Sequence, residues 1–312
     1  MIDFRYHLVS IVAIFMALAV GIALGAGPLK DPVDAALGNQ TEKLRKDKEQ
    51  LRQELDALGT RVAYDDAWAS QAGPVLTKGS LTGRTVLIVQ LPGADAQTVG
   101  TMSDGLKAAG AAISGTLEVT ANYLKPDQQG VLTSLVSQLA PAAAGNGSAY
   151  EQVAAALADA VVVKDSTQVG VGSDARAALL SGLSELGVIK ASGNLDRRAG
   201  LALVIEAAAP TNANSAAAKQ TKDALLPLVQ ALDTKGQGDV LGGPEGSAAD
   251  GSLIAAVRAD RNLRRDVSTV DVVSAPSGQV AAVLALNEQA QGKAGQYGYG
   301  PGADGPMPKA AA

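Results

Sequence analysis

TVLIVQLPGADAQTVGTMSDGLKAAGAAISGTLEV (residues 85–119) is the stretch from which the fold follows. Its first seven residues form an aliphatic run bounded by turn signals, the pattern of a strand buried on both faces. Residues 95–109 then carry helical spacing behind Asp95, and residues 113–119 return to strand. Strand, helix, strand is the natural unit of a parallel pair. The alternation continues, with short runs at 201–205, 239–241 and 267–273 and helical stretches at 175–186, 216–232 and 252–263. The expected class is α/β, a doubly wound, mostly parallel sheet with helices on both faces. This domain is expected over 81–291. PAAAGNGSA (141–149) reads as a loop, and the Gly- and Tyr-containing end, 292–312, as a disordered tail.

Doubly wound sheets bind nucleotides beyond the carboxyl ends of their strands, so the first strand should be followed by a phosphate loop. Leu91-Pro92-Gly93-Ala94-Asp95 has one glycine where a dinucleotide fingerprint needs three, and no P-loop lysine. It reads as a turn whose Asp95 caps the next helix. Gly170-Val171-Gly172-Ser173 reads likewise as a loop and cap. The single histidine, His7, lies in the apolar N-terminal region and cannot serve the α/β domain, which excludes a Ser-His-Asp triad; no G-x-S-x-G elbow occurs. No catalytic, cofactor-binding or metal-ligating residue is therefore assigned, and the chain is not expected to be an enzyme. Arg258, Arg261 and Arg265 gather by helical spacing beside Asp260 and Asp266, which reads as a solvated face.

Composition narrows the partners. Lys+Arg 26 against Asp+Glu 31 gives a net charge of −5, with none of the basic footprint of a nucleic-acid binder. Aromatics are 3% against 47% hydrophobic residues, so the core must be built from Ala, Val and Leu. With no cysteine, neither a disulfide framework nor a thiolate site can exist.

Working toward the N-terminus, LGNQTEKLRKDKEQLRQELDALGTRV places Leu37, Leu44, Leu51 and Leu58 seven residues apart, with Leu55 and Val62 at the other seam position. This is a heptad pattern, and residues 31–70 are expected to form a coiled-coil stalk. The same stretch read as a lone helix would leave its charged faces in water. The pairing reading makes those six residues an interface for a second copy or a partner helix. Before it, residues 8–27, LVSIVAIFMALAVGIALGAG, contain no charge, and at about 1.5 Å per residue they span the roughly 30 Å hydrocarbon layer. The run is longer than the apolar region of a signal peptide and only Arg5 precedes it as a fixed cation, so 1–30 is expected to be an uncleaved transmembrane anchor. Gly21 and Gly25 form a small-xxx-small pair that lets another helix approach.

The opening MIDFRYHLVSIVAIFMALAVGIALGAGPL, with the leucine heptads, the α/β domain and the Gly-Tyr end, resembles the actinobacterial copper transporter MctB family, whose corynebacterial members are called SteB. The resemblance implies a single-pass protein of the cytoplasmic membrane with its domain outside it. It also implies either a role in copper export, as an outer-membrane channel component, or partnership with the membrane protein SteA in cell separation. Copper prefers thiolate, thioether and imidazole, whereas this chain has no Cys, one His, and Met only at 1, 16, 102 and 307. The expectation is therefore an envelope interaction protein, with a copper-export component or an undetected α/β enzyme or ligand-binding domain as alternatives.

Overall fold

The computed structural model describes residues 4–25, 30–143, 145, 147–170, 173–195 and 197–309, with the backbone alone over 30–39. Val171 and Gly172, in one of the expected loops, lie outside the described residues, as do Ala144 and Asn146 of the other. In chain order the elements are α1 (Phe4–Gly25), α2 (Lys30–Thr77), β1 (Thr85–Gln90), α3 (Ala96–Ala108), β2 (Ala112–Val119), α4 (Gln129–Leu139), α5 (Ala149–Val161) and α6 (Asp174–Glu185). There follow β3 (Ile189–Gly193), β4 (Leu201–Ile205), α7 (Ala216–Lys235), β5 (Asp239–Gly242), α8 (Leu253–Ala259), α9 (Arg261–Asp266), β6 (Ser268–Val270), α10 (Pro276–Gln289) and β7 (Gln296–Tyr297). Two compact units result, Met1–Tyr64 and Asp65–Ala312.

The second unit is built on one seven-stranded sheet of order β3-β2-β1-β4-β5-β6-β7, parallel except for the antiparallel β2–β3 pair. The aliphatic runs bury both faces, as their lack of alternation predicted. From β1, Leu87 and Val89 enter a core completed by α4 to α8, while Val86 and Ile88 enter a second core under α3 and α10. Burying such a side chain is worth about 1.5–3 kcal/mol, so a polar residue at any of these positions would be costly. β3 shows the opposite pattern, with Ile189 its one buried residue, as befits a sheet edge. Asp95 caps α3 by accepting from Thr98 N (2.8 Å). Ser148 and Glu151 close a reciprocal capping box on α5.

The second unit starts inside α2, ahead of residue 81. Ala69 and Thr77 are buried, and at Gly73 a Cβ would lie 2.7 Å from Val280 Cγ2 of α10, so the end of α2 is held by close approach.

Two sequence expectations are overturned at the C-terminal end. Residues 292–309 are not a disordered tail, because β7 pairs in parallel with β6 and completes the sheet. Nor is Arg258 part of a solvated face. Asp260 ends α8 and caps α9, accepting from Asn262 N and Leu263 N, so the helical spacing of the arginines is broken. Arg258 turns inward and donates to Asp271 Oδ2 (2.7 Å), Thr269 Oγ1 (2.9 Å) and the carbonyls of Tyr297 (2.8 Å) and Pro301 (3.0 Å). Asp271 in turn accepts from the backbone N–H groups of Tyr299 and Gly300. One buried ion pair thus fastens the last strand to the sheet.

Candidate functional site

Two features could meet a partner or ligand: the apolar surface of α1 and α2, and a crevice in the sheet. α1 is a 22-residue helix, about 33 Å long at 1.5 Å per residue, without a buried residue. By length and composition it is the described helix able to cross a membrane. Gly21 and Gly25 have nothing within 4 Å of where a Cβ would stand, which leaves their backbone open to a second helix.

On α2 the residues expected at the seam follow one another at 44, 51, 55, 58 and 62, steps of seven, four, three and four that keep them on one face. Leu44, Leu51, Leu55, Leu58 and Val62 are all between 50% and 66% exposed, a continuous apolar row. The side chain of Leu37 lies outside the described residues. Polar side chains stand elsewhere on the helix: Lys46 pairs with Glu42 (3.1 Å) and Gln50 Nε2 donates to Glu54 Oε1 (2.8 Å), each one helical turn apart. Such pairs hold a solvated helix together by about 0.2–0.5 kcal/mol each, too little to compensate for a helix this long standing with its leucines in water.

The crevice lies where the strand order reverses. From β1 the chain builds outward through β2 to β3, then returns to lay β4 against the other side of β1. The exits of β1 and β4 therefore diverge and leave a cavity of about 260 Å³ between Leu91-Pro92, the segment after β4, and the starts of α7 and α8. Its walls are set by close approaches. Gly93 (φ +82°) brings the β1 turn within contact of Ala207, and at Gly251 (φ +88°) a Cβ would lie 2.7 Å from the backbone of Ala213.

Glu206, first residue after β4, is the buried acid of this cavity, 5% exposed. Its oxygens accept from Leu253 N (3.0 Å) and Ile254 N (3.2 Å) at the start of α8. Burial outweighs these bonds and the nearby Arg258, pushing the carboxyl up to about 8. Lys222, from α7, lines the same cavity with Thr221 and Ser215. Sequence reasoning found neither Glu206 nor Lys222; the available signal was an acid directly following a fully apolar strand. Among the described residues, no three His, Cys, Asp or Glu side chains form a group able to hold a metal ion.

Comparison with known proteins gives a consistent result. The family described as "Copper transport outer membrane protein, MctB" matches residues 1–308. The protein named copper transporter MctB from Mycobacterium tuberculosis is 28% identical over 312 residues, covering 97% of this chain and 98% of that protein. Its namesake from Mycobacterium leprae is 29% identical over 315 residues, with the same shares covered.

Proposed function

The chain belongs to the MctB family, and we propose that it acts as a membrane-anchored cell-envelope interaction protein: α1 is the anchor, α2 the pairing helix, and the α/β unit the part presented outside the cytoplasmic membrane. The observation that carries this is the exposed apolar row on α2. The partner is a second copy of the chain, aligned in parallel. With Leu44, Leu51 and Leu58 at d, Leu55 and Val62 fall at a, Arg45 and Arg52 at e, and Asp47 and Glu54 at g. A parallel pair sets Asp47 of one copy against Arg52 of the other, whereas an antiparallel pair centred on Leu51 and Leu55 sets Arg52 against Arg52 and Glu54 against Glu54 and keeps Asp47 against Arg61 as its attractive contact. Two copies anchored by α1 in one membrane enter the pair in the same sense. Lys48 at an a position weakens the seam toward the membrane and favours one register. A membrane partner of the SteA kind is the competing occupant.

The absence of cysteine supplies the test. Leu51→Cys in otherwise cysteine-free full-length protein should form a disulfide-linked dimer in membranes, while Glu49→Cys, off the seam, should not. Heteromeric cross-links in place of the dimer would assign the seam to another protein.

The name copper transporter, borne by the mycobacterial relatives, favours a second reading, in which the chain contributes to copper export. An open, mostly parallel sheet is unlike the closed antiparallel barrel that spans an outer membrane. On this reading copper handling runs through an associated protein rather than through a pore formed by this sheet.

A further inference from the structure

We propose that the crevice between the carboxyl ends of β1 and β4 is a binding site for a small aliphatic zwitterion of amino-acid type, its ammonium received by Glu206 and its acid group by Lys222. The position is the one at which open α/β sheets take their ligands, the point where strand order reverses. The chemistry of the lining sets the class. Both oxygens of Glu206 already accept from backbone N–H groups, so what each still offers is a lone pair, which suits a donor. Glu206 is the acid in this lining, and a cationic donor that restores its ionised form against the effect of burial gains more there than a neutral one. Arg258, the other nearby cation, is committed to Asp271 and the C-terminal segment.

Lys222, a second charged residue of the lining, disfavours a simple amine and supplies the counterion for an acid group, in a lining that also holds Thr221 and Ser215. The rest of the lining is largely apolar, with Leu91, Pro92, Leu225 and Leu253, which gives the aliphatic body its place beside the charged groups. The volume, about 260 Å³, falls below the roughly 300–1,000 Å³ of drug-sized sites and is too small for a dinucleotide. Gly93 and Gly251, both in left-handed conformation against the segment after β4, fix the walls before any ligand arrives.

The test uses the full-length protein in non-ionic micelles, titrated with leucine, with isoamylamine and with 4-methylpentanoate, and followed by ligand-observed NMR. Leucine should bind, and each single-charge analogue should bind at least about tenfold more weakly, as expected for loss of a charge-assisted hydrogen bond. Lys222→Ala, partly exposed and outside the folding core, should weaken leucine by a similar factor without changing the melting temperature. Glu206→Gln should do so too, with some loss of stability because it caps α8. The proposal is overturned if no leucine binding is seen at millimolar concentration, if isoamylamine binds as well as leucine, or if Lys222→Ala leaves the affinity unchanged. Pairing through α2 plays no part in any of these outcomes.

Discussion

Replacing Arg258 by Met tests how the C-terminal segment is held. In the native state the Arg258 and Asp271 side chains are 3% and 2% exposed, and the guanidinium makes four hydrogen bonds, two of them to carbonyls of residues 297 and 301. Met fills much of the same volume but leaves the Asp271 carboxylate buried without its counterion. Breaking a buried pair from one side typically costs about 3–5 kcal/mol, against the roughly 0–1 kcal/mol of an exposed pair such as Lys107–Asp104. Two retained backbone donors to Asp271, from Tyr299 and Gly300, place the expected loss toward the lower end. Denaturant unfolding of the full-length protein should show about 3 kcal/mol of destabilisation, and hydrogen exchange should show residues 296–304 losing protection ahead of β1 and β4. The Lys107→Met control should change stability by less than about 1 kcal/mol. A loss under about 1 kcal/mol for Arg258→Met, or undiminished protection of 296–304, would refute the argument that this pair fastens the sheet's last strand.

Other consequences follow from particular residues. Asp239 is fully buried with neither oxygen hydrogen-bonded, and burial first, then the neighbouring Asp233, raises its carboxyl well above the ordinary 3.8. A raised folded value means that its contribution to stability is complete below about pH 3.8 and is lost as pH rises through the folded value, so Asp239→Asn should fall less steeply than wild type in denaturation curves taken from pH 4 to 8. Equal slopes would contradict this. Gly73→Val, whose side chain would meet Val280, should lower stability by about 1–3 kcal/mol, while Gly59→Ala, with nothing within 4 Å, should be neutral or stabilising by up to about 1 kcal/mol in thermal melts. Calorimetric titration with Cu(I) under reducing conditions should reveal no tight stoichiometric site, and finding one would return copper binding to this chain.

Legibility in the sequence tracked how local each determinant is. The unit 85–119 was readable because its strands are continuous apolar runs and its helix has its own capping aspartate, Asp95, close in sequence. Strand β3 (IKASG) buries only Ile189, so no periodicity announced it. Helix α10 is buried around much of its circumference, Ala281, Ala282, Val283, Ala285 and Leu286 included, so it shows no one-sided stripe to read. The C-terminal segment has the composition of a flexible tail, and its order comes from Arg258 and Arg264, about 40 residues away in sequence. The same long-range contact takes Arg258 away from Arg261 and Arg265, which stay exposed as their composition suggests, since helical spacing unites the three only if Asp260 does not break the helix. The crevice carries no motif because Glu206 and Lys222 are joined by topology alone. The α2 row was legible because helical spacing needs no tertiary information, and Leu44, Leu51, Leu55, Leu58 and Val62 stand exposed along that helix.

The claim that α2 is a pairing surface is tested most directly by the mass of the detergent-solubilised full-length protein, measured by sedimentation equilibrium for wild type, Leu51→Ala with Leu58→Ala, and Glu49→Ala. Each leucine truncated in a packed seam removes about 2–5 kcal/mol, enough for the double change to dissociate a modest dimer. The account predicts a dimer for wild type and for Glu49→Ala, and a monomer for the double variant, whose α/β unit, packed from Asp65 onward, keeps its melting temperature. A double variant that remains dimeric would show that α2 is a solvated spacer and that association, if any, resides elsewhere.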